Sequence, residues 1–239
     1  MKEIEELISK SKRYKNVIIQ KKFDSKKNTV AYVTIDEKPR VLKLFVPGFK
    51  RQMKTEVNIL KKGSTRINIP AIHKMDEKNN VIIMSYITGK NLCDIINDEK
   101  IEIVEKEKLI IQLAEWFTNF HKFFKIEENF QIRGDSNLKN FIYNDRIWGV
   151  DFEEARIGRP IEDVAGLCSS ILTTDPMFTD EKFSLCKLFI ESYSKTSSVF
   201  NDNVNDEIAY SLLEKIQYRP DEETILRKYS KVIKKKGLE

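Results

Sequence analysis

At Gly89 the chain changes period. Before it, apolar residues come in short β-branched runs; after it they recur at helical spacing, which limits the fold to a sheet-rich first part and a mainly helical second. Val17-Ile18-Ile19, Val30–Ile35 and Arg40–Val46 read as three strands separated by the turn-like Asp24-Ser25-Lys26-Lys27-Asn28 and Asp36-Glu37-Lys38-Pro39. Ahead of them Glu3–Lys12 reads as a short amphipathic helix with Ile4, Leu7 and Ile8 on one face. After Pro47-Gly48, the spacing of Met53, Val57 and Leu60 predicts a helix over Phe49–Lys62, with Gly63 as its C′ residue. Ala71–Met75 and Val81–Ile87 supply two more strands. Ile103–Phe124 is the strongest helix, with Leu109, Leu113, Trp116, Phe117, Phe120 and Phe124 on one side. A hairpin of Asn140–Tyr143 and Arg146–Asp151 follows, then helical patterns near Ile161–Leu172, Lys182–Ser194, Asp206–Lys215 and Asp221–Lys234. The expected class is α+β in two lobes: an antiparallel five-stranded lobe over 1–88 and a mainly helical lobe over 89–239.

Composition excludes several classes. At 41% hydrophobic and 10% aromatic residues there is material for a core, which a disordered chain lacks. No apolar run approaches the roughly 20 residues a bilayer span needs. Met1-Lys2-Glu3-Ile4-Glu5-Glu6 is charged where a signal peptide turns apolar, so the expected location is cytoplasmic, with no membrane partner. Three separated cysteines and two histidines contain no metal-ligand spacing and no disulfide framework. Charge is uneven: residues 1–90 hold 21 Lys+Arg against 9 Asp+Glu, and 91–239 hold 21 against 28, giving +12 and −7. The lysines of the last helix read as a solvated face rather than a nucleic-acid surface.

The chemistry lies in Ile132-Arg133-Gly134-Asp135-Ser136-Asn137-Leu138-Lys139-Asn140 and Val150-Asp151-Phe152-Glu153-Glu154-Ala155. An Asp and an Asn five residues apart, then an Asp-Phe 11 residues beyond the Asn, are the parts phosphoryl transfer needs. One carboxylate orients the attacking hydroxyl, while a carboxylate and an amide oxygen hold magnesium against the nucleotide phosphates. The intervening hairpin is expected to bring Asn140 and Asp151 back to one place.

These motifs resemble the kinase-like fold, and within it the aminoglycoside phosphotransferase and choline kinase branch, whose HGD-x₄-N loop, DF or DW motif and G-x-P-x-x-D run in this order. The last stands here as Gly158-Arg159-Pro160-Ile161-Glu162-Asp163. The resemblance extends to Lys43 in Val41-Leu42-Lys43-Leu44, to Glu56 in Thr55-Glu56-Val57, and to the hinge-like Ser85-Tyr86-Ile87-Thr88-Gly89. It implies an ATP-dependent phosphotransferase using Mg²⁺, GTP not being distinguished from ATP. Lys43, held by Glu56, would bind phosphates, Ser25, Asn28 and Thr29 would contact them from the first β-turn, and Ser85 and Ile87 would hold the adenine. Asn140 and Asp151 would ligate the metal and Asp135 would orient the acceptor hydroxyl. Asp163 and His121 would support the loop. Glu153, Glu154, Asp206, Glu207 and Glu214 are expected to draw a cationic small-molecule acceptor such as an amino alcohol or aminoglycoside. An exposed Lys43–Glu56 pair would add little to stability, so its expected purpose is to hold Lys43 against the phosphates, and Lys43→Met should weaken catalysis much more than folding.

Two features depart from the family pattern. Arg133 stands where the family has histidine and is expected to pair with a carboxylate, and the first β-turn has no glycine. An atypical protein serine/threonine kinase is the alternative, opposed by the short stretch between Phe152 and Arg159. A non-catalytic nucleotide-binding module is a second alternative, opposed by the presence of Asp135, Asn140 and Asp151 together.

Overall fold

In the computed structural model the described residues are all but Met1, Asp24, Lys26, 198–202 and Glu239. Asp24 and Lys26 of the predicted first turn thus lie outside them. The chain forms two units: Met1–Thr88 with Val150–Glu154, and Gly89–Gly149 with Ala155–Glu239. Five residues that follow the hairpin in sequence therefore belong to the first unit.

The first unit runs α1 (Lys2–Lys10), β1 (Val17–Phe23), β2 (Thr29–Ile35), β3 (Lys38–Leu44), α2 (Lys50–Gly63), β4 (Ile72–Asp76) and β5 (Val81–Ser85). Its antiparallel sheet has the order β1-β2-β3-β5-β4. Period-2 alternation gives the sheet two different faces. Ala31, Val33, Leu42, Val81 and Ile83 are buried with Ile4 and Tyr14 in one core cluster, against which Leu7 and Ile8 of α1 pack. The register pairs Val30 with Lys43 and Lys43 with Ile82, and Tyr32 with Val41 and Val41 with Met84, so these six share the other face. Two predicted boundaries differ. β3 starts at Lys38 rather than Arg40, because Asp36 and Glu37 adopt φ of 49° and 62° and close a tight two-residue hairpin. Gly63 is not a left-handed cap but the buried last residue of α2. Ser64 follows in αR, and the Arg66 and Ile67 amides donate to the Gly63 carbonyl, continuing the turn.

Asp76, at the end of β4, ties the N-terminal segment to this sheet. It accepts from Tyr14 Oη at 2.9 Å, Asn79 Nδ2 at 2.9 Å, the Asn79 amide at 3.2 Å and Arg13 Nη1 at 3.4 Å. Burial alone would raise its carboxyl, but the hydrogen bonds from Asn79, Tyr14 and Arg13 outweigh it and hold the pKa at about 2. A depressed carboxyl contributes stability above its unfolded pKa and loses it as pH falls through the folded one. Asp76→Asn is therefore expected to cost at most about 2 kcal/mol at pH 7. The gap to wild type should close as pH falls from about 4 toward 2, read by denaturant melts at each pH. A gap that stays constant over that range would show that Asp76 acts by shape rather than charge.

The second unit runs β6 (Lys90–Asn91), α3 (Leu92–Ile96), α4 (Ile103–Phe123), β7 (Lys125–Ile126), β8 (Asn129–Ile132), β9 (Phe141–Tyr143), β10 (Ile147–Gly149), β11 (Arg156–Gly158), α5 (Pro160–Leu172), α6 (Asp180–Thr196), α7 (Val204–Glu214) and α8 (Glu223–Lys236). Beyond the predicted β9–β10 hairpin, β6 joins β9, and a second small sheet, β11-β8-β7, appears that the sequence did not signal. Its strands are two to four residues long, too short to show a period. At β6 the chain approaches β9 so closely that only glycine fits: a Cβ on Gly89 (φ 144°) would lie 2.3 Å from the Tyr143 carbonyl oxygen. α4 buries Leu113, Trp116, Phe117 and Phe120. Phe117 meets Phe141 of β9 and Phe189 of α6 at 5.3 and 5.6 Å between ring centroids. Among the described residues no helix is long and apolar enough to cross a membrane.

Candidate functional site

In the first unit the site is built around Lys43. Leu42 and Leu44 hold it in the central strand β3, where alternation turns it to the face away from α1. Its Nζ lies 2.7 Å from Glu56 Oε2, 2.7 Å from Asp151 Oδ1 and 2.8 Å from Glu153 Oε2. Lys43 is 3% exposed and Glu56 1%. The pair is therefore buried rather than exposed, so removing one partner strands the charge of the other. Glu56 also accepts the Phe152 amide at 3.4 Å, so α2 holds both the lysine and the segment carrying Asp151. Burial would push the Lys43 ammonium down, but the charges of Glu56, Asp151 and Glu153 hold it above the ordinary lysine range. Burial pushes Glu153 up, and Asp151 and Glu154 add to this against the opposing pull of Lys43. One cation facing three carboxylates leaves an excess of negative charge.

That excess is the test of whether a divalent cation fits. Carboxylate oxygens of Glu56, Asp151 and Glu153 lie within 4.8 Å of one another, and the Asp151 side chain is 41% exposed. Hard oxygen donors are the chemistry Mg²⁺ takes, but Lys43 Nζ already lies within 2.8 Å of all three carboxylates, which leaves the part-exposed Asp151 as the one placed to reach an ion outside the cluster. Asp151 has φ 63°, a left-handed conformation that costs a non-glycine residue energy and tends to persist at functional sites.

Of the turn residues, Asn28 is buried and donates its Nδ2 to Glu153 Oε2, while its Oδ1 accepts the Val46 amide at 3.2 Å. Thr29 is buried at the start of β2 opposite Leu44, and Ser25 is exposed. Ser85 ends β5, its amide donating to the Ala71 carbonyl at 2.8 Å and its Oγ 2.9 Å from His73 Nε2. Ile87 follows it, half-buried. Val30, Val41 and Met84 share the face of Lys43, an apolar wall that sequence reasoning missed. The strand registers needed to find it are long-range.

In the second unit the loop before β9 is anchored from beneath. Asp163 of α5 accepts the Arg133 amide at 2.7 Å, the Gly134 amide at 3.0 Å and Ser136 Oγ at 2.8 Å, with His121 Nε2 at 3.0 Å. His121 Nδ1 lies 2.9 Å from Tyr193 Oη. Burial alone would raise the Asp163 carboxyl, but the bonds from His121, Arg133 and Ser136 hold it below the usual range. The loop thus presents Asp135 as an exposed carboxylate, and Asn140 Nδ2 donates to its Oδ2 at 3.1 Å. Asn140 closes a 3₁₀ turn over Leu138–Asn140.

Arg133 lies among aromatic rings. Its guanidinium is fully buried, 4.6 Å from the Phe141 ring centroid and 5.4 Å from that of Trp116, and its Nε donates to the Asp135 carbonyl at 3.4 Å. Aromatic faces take up the planar cation that stands in the histidine position. Gly149 makes room for it, since a Cβ there would fall 2.9 Å from Arg133 Nη1 and 2.3 Å from Trp116.

The acids expected to draw a cationic acceptor are mostly engaged within the protein. Glu153 serves Lys43 and Asn28, and Glu154 meets Lys27 at 3.1 Å. Glu207 pairs with Arg159, and Asp206 accepts from Asn203 Nδ2 at 2.9 Å. Glu214 is exposed.

No family model matches the chain. Aminoglycoside phosphotransferase APH(4)-Ia superimposes with a TM-score of 0.70 over 99% of both chains at 11% identity. The fold is kinase-like, of the aminoglycoside phosphotransferase and choline kinase type. Choline kinase LicA from Streptococcus pneumoniae shares this kinase-like fold with a TM-score of 0.62, over 100% of this chain and 99% of that one, at 13% identity. A curated relative, KEOPS complex subunit Bud32 of Pyrococcus abyssi, is 24% identical over 142 residues, 59% of this chain. The match spans 61% of that relative's length.

Proposed function

We propose that this protein transfers the γ-phosphoryl group of ATP, taken as its magnesium complex, to a hydroxyl of a small molecule. The observation that carries this reading is the buried Lys43 ammonium held at 2.7 Å by both Glu56 and Asp151. A lysine fixed this way on a sheet face beside Val30, Val41 and Met84 suits a nucleotide whose base has apolar ring faces and whose phosphates are anionic. Two solved neighbours of the fold carry nucleotide: an APH(4)-Ia variant with ADP and hygromycin B, and APH(2")-IIa with ATP and streptomycin.

In this reading Asn28 contacts phosphate oxygens beside Lys43, whereas Thr29, paired with Leu44, lies on the opposite sheet face, and the Ser85 and Ile87 backbone holds the adenine. Asn140 and Asp151 hold Mg²⁺, which supplies charge neutralisation at the phosphate oxygens. Asp135 orients the acceptor hydroxyl and takes its proton, on a loop that Asp163 and His121 keep in place. A small acceptor is favoured over a peptide because the chain directly after Ala155 is committed to β11, hydrogen-bonded to β8, and enters α5 at Pro160. That leaves no activation segment to dock a polypeptide.

The test is incubation with γ-labelled ATP and Mg²⁺ across amino alcohols, aminoglycosides, neutral sugars and generic protein substrates. Neutral sugars are included because the acids expected to attract cations are largely paired. Label transfer to one small-molecule class is the expected result. Transfer only to protein would replace the acceptor assignment, and no metal-dependent transfer or hydrolysis would remove the enzymatic reading.

A further inference from the structure

The Glu153 carboxylate touches two groups assigned above to the phosphates, the Lys43 ammonium and the Asn28 amide. An ammonium has three hydrogens. Lys43 donates two of them, to Glu56 and Asp151 at 2.7 Å each, and forms an ion pair with Glu153 at 2.8 Å. Asn28 is committed too, with Nδ2 on Glu153 and Oδ1 on the Val46 amide. Amide and ammonium thus converge on one internal anion. Lys27 and Glu154, 3.1 Å apart, hold the same turn against the same segment. Of the three acids around Lys43, Glu56 is the enclosed one, with its side chain 1% exposed, against 11% for Glu153 and 41% for Asp151.

Resting on the nucleotide reading above, we propose that Glu153 stands in for a nucleotide phosphate between Asn28 and Lys43, and thereby selects metal-bound over free nucleotide. A free nucleotide brings more negative charge to a cluster where one ammonium already faces three carboxylates. It must displace Glu153 without offering that carboxylate a new counter-charge. A magnesium–nucleotide complex carries the counter-charge with it, and oxygen ligands are what the ion accepts. Glu153 is a specificity residue in this scheme, and the cost of moving it falls on the metal-free ligand.

ADP is the probe, titrated calorimetrically into the full chain with excess Mg²⁺ and again in EDTA. Wild type should bind at least about tenfold more tightly with Mg²⁺, and Glu153→Gln should narrow that ratio at least about fivefold, by tighter binding in EDTA. Glu153→Ala, checked like the first variant by circular dichroism, provides a second measurement should the glutamine variant fail to fold. A ratio within about twofold of wild type in every folded variant overturns the proposal and leaves nucleotide binding intact. Failure of wild type to bind ADP under either condition overturns the nucleotide reading and this proposal with it. If neither variant folds, Glu153 is a structural brace and the proposal is wrong.

Discussion

Asp135→Asn is expected to lower turnover by about 10²–10⁴, with nucleotide affinity changed by no more than a few-fold. The asparagine keeps the shape of the side chain and removes the group that accepts a proton. The loop around it does not depend on that carboxylate, because Asp163 takes the Arg133 and Gly134 amides and the Ser136 hydroxyl. Asp135 is exposed, so the exchange should alter folding by less than about 0.5 kcal/mol. The Asn140 contact at 3.1 Å survives through the remaining carbonyl oxygen. The measurement is kcat and the KM for ATP on the acceptor the label screen returns. Collapse of nucleotide affinity with turnover preserved at saturation would make Asp135 a metal ligand and overturn its assignment as the base.

Lys43→Met should damage both activity and folding. From sequence the pair looked like one whose loss would spare stability, but its two ends are 3% and 1% exposed. Removing the ammonium leaves Glu56 buried without a counter-charge and Asp151 and Glu153 facing it. Breaking a buried pair from one side costs about 3–5 kcal/mol, or roughly 6–20 °C in Tm for a chain of this size. Adding Glu56→Gln to that variant removes the stranded charge and retains an acceptor for the Phe152 amide. The double variant should regain most of the lost Tm and none of the activity, because the phosphate-binding cation is still missing. A Lys43→Met protein that melts like wild type would show that the carboxylates find another counter-charge, and the site would lose its central residue.

Much of the site was legible because its parts carry local signatures. The Asp135–Asn140 spacing belongs to one loop and one 3₁₀ turn, and Lys43 stands out as a charge inside an apolar strand. Pairing Lys43 with Glu56 needed only a strand, a turn and a helix in succession. Glu153 was misjudged for the opposite reason. In sequence it is one acid of an acidic pair, suited to attracting a cation from solvent, whereas its partner Asn28 lies 125 residues away. The alternation Asp151-Phe152-Glu153, with Phe152 fully buried, was the available hint that both acids lie on one side of the segment.

The sequence alone determined the class and order of the elements. β-Branched runs in the first third must form a sheet, and helical spacing after Gly89 must form helices, because these periods each bury one face and neither can serve the other. Tertiary structure decided which face of that sheet holds Lys43, since register across β2, β3 and β5 is set by α1 covering Ala31, Val33, Leu42 and Ile83. It decided that Val150–Glu154 belongs with the first unit, and that β11 pairs with β8. It also placed Arg133 against Trp116 and Phe141. These outcomes rest on contacts between side chains or strands distant in sequence, whose energies depend on what else is buried nearby, and no local pattern of residues encodes that.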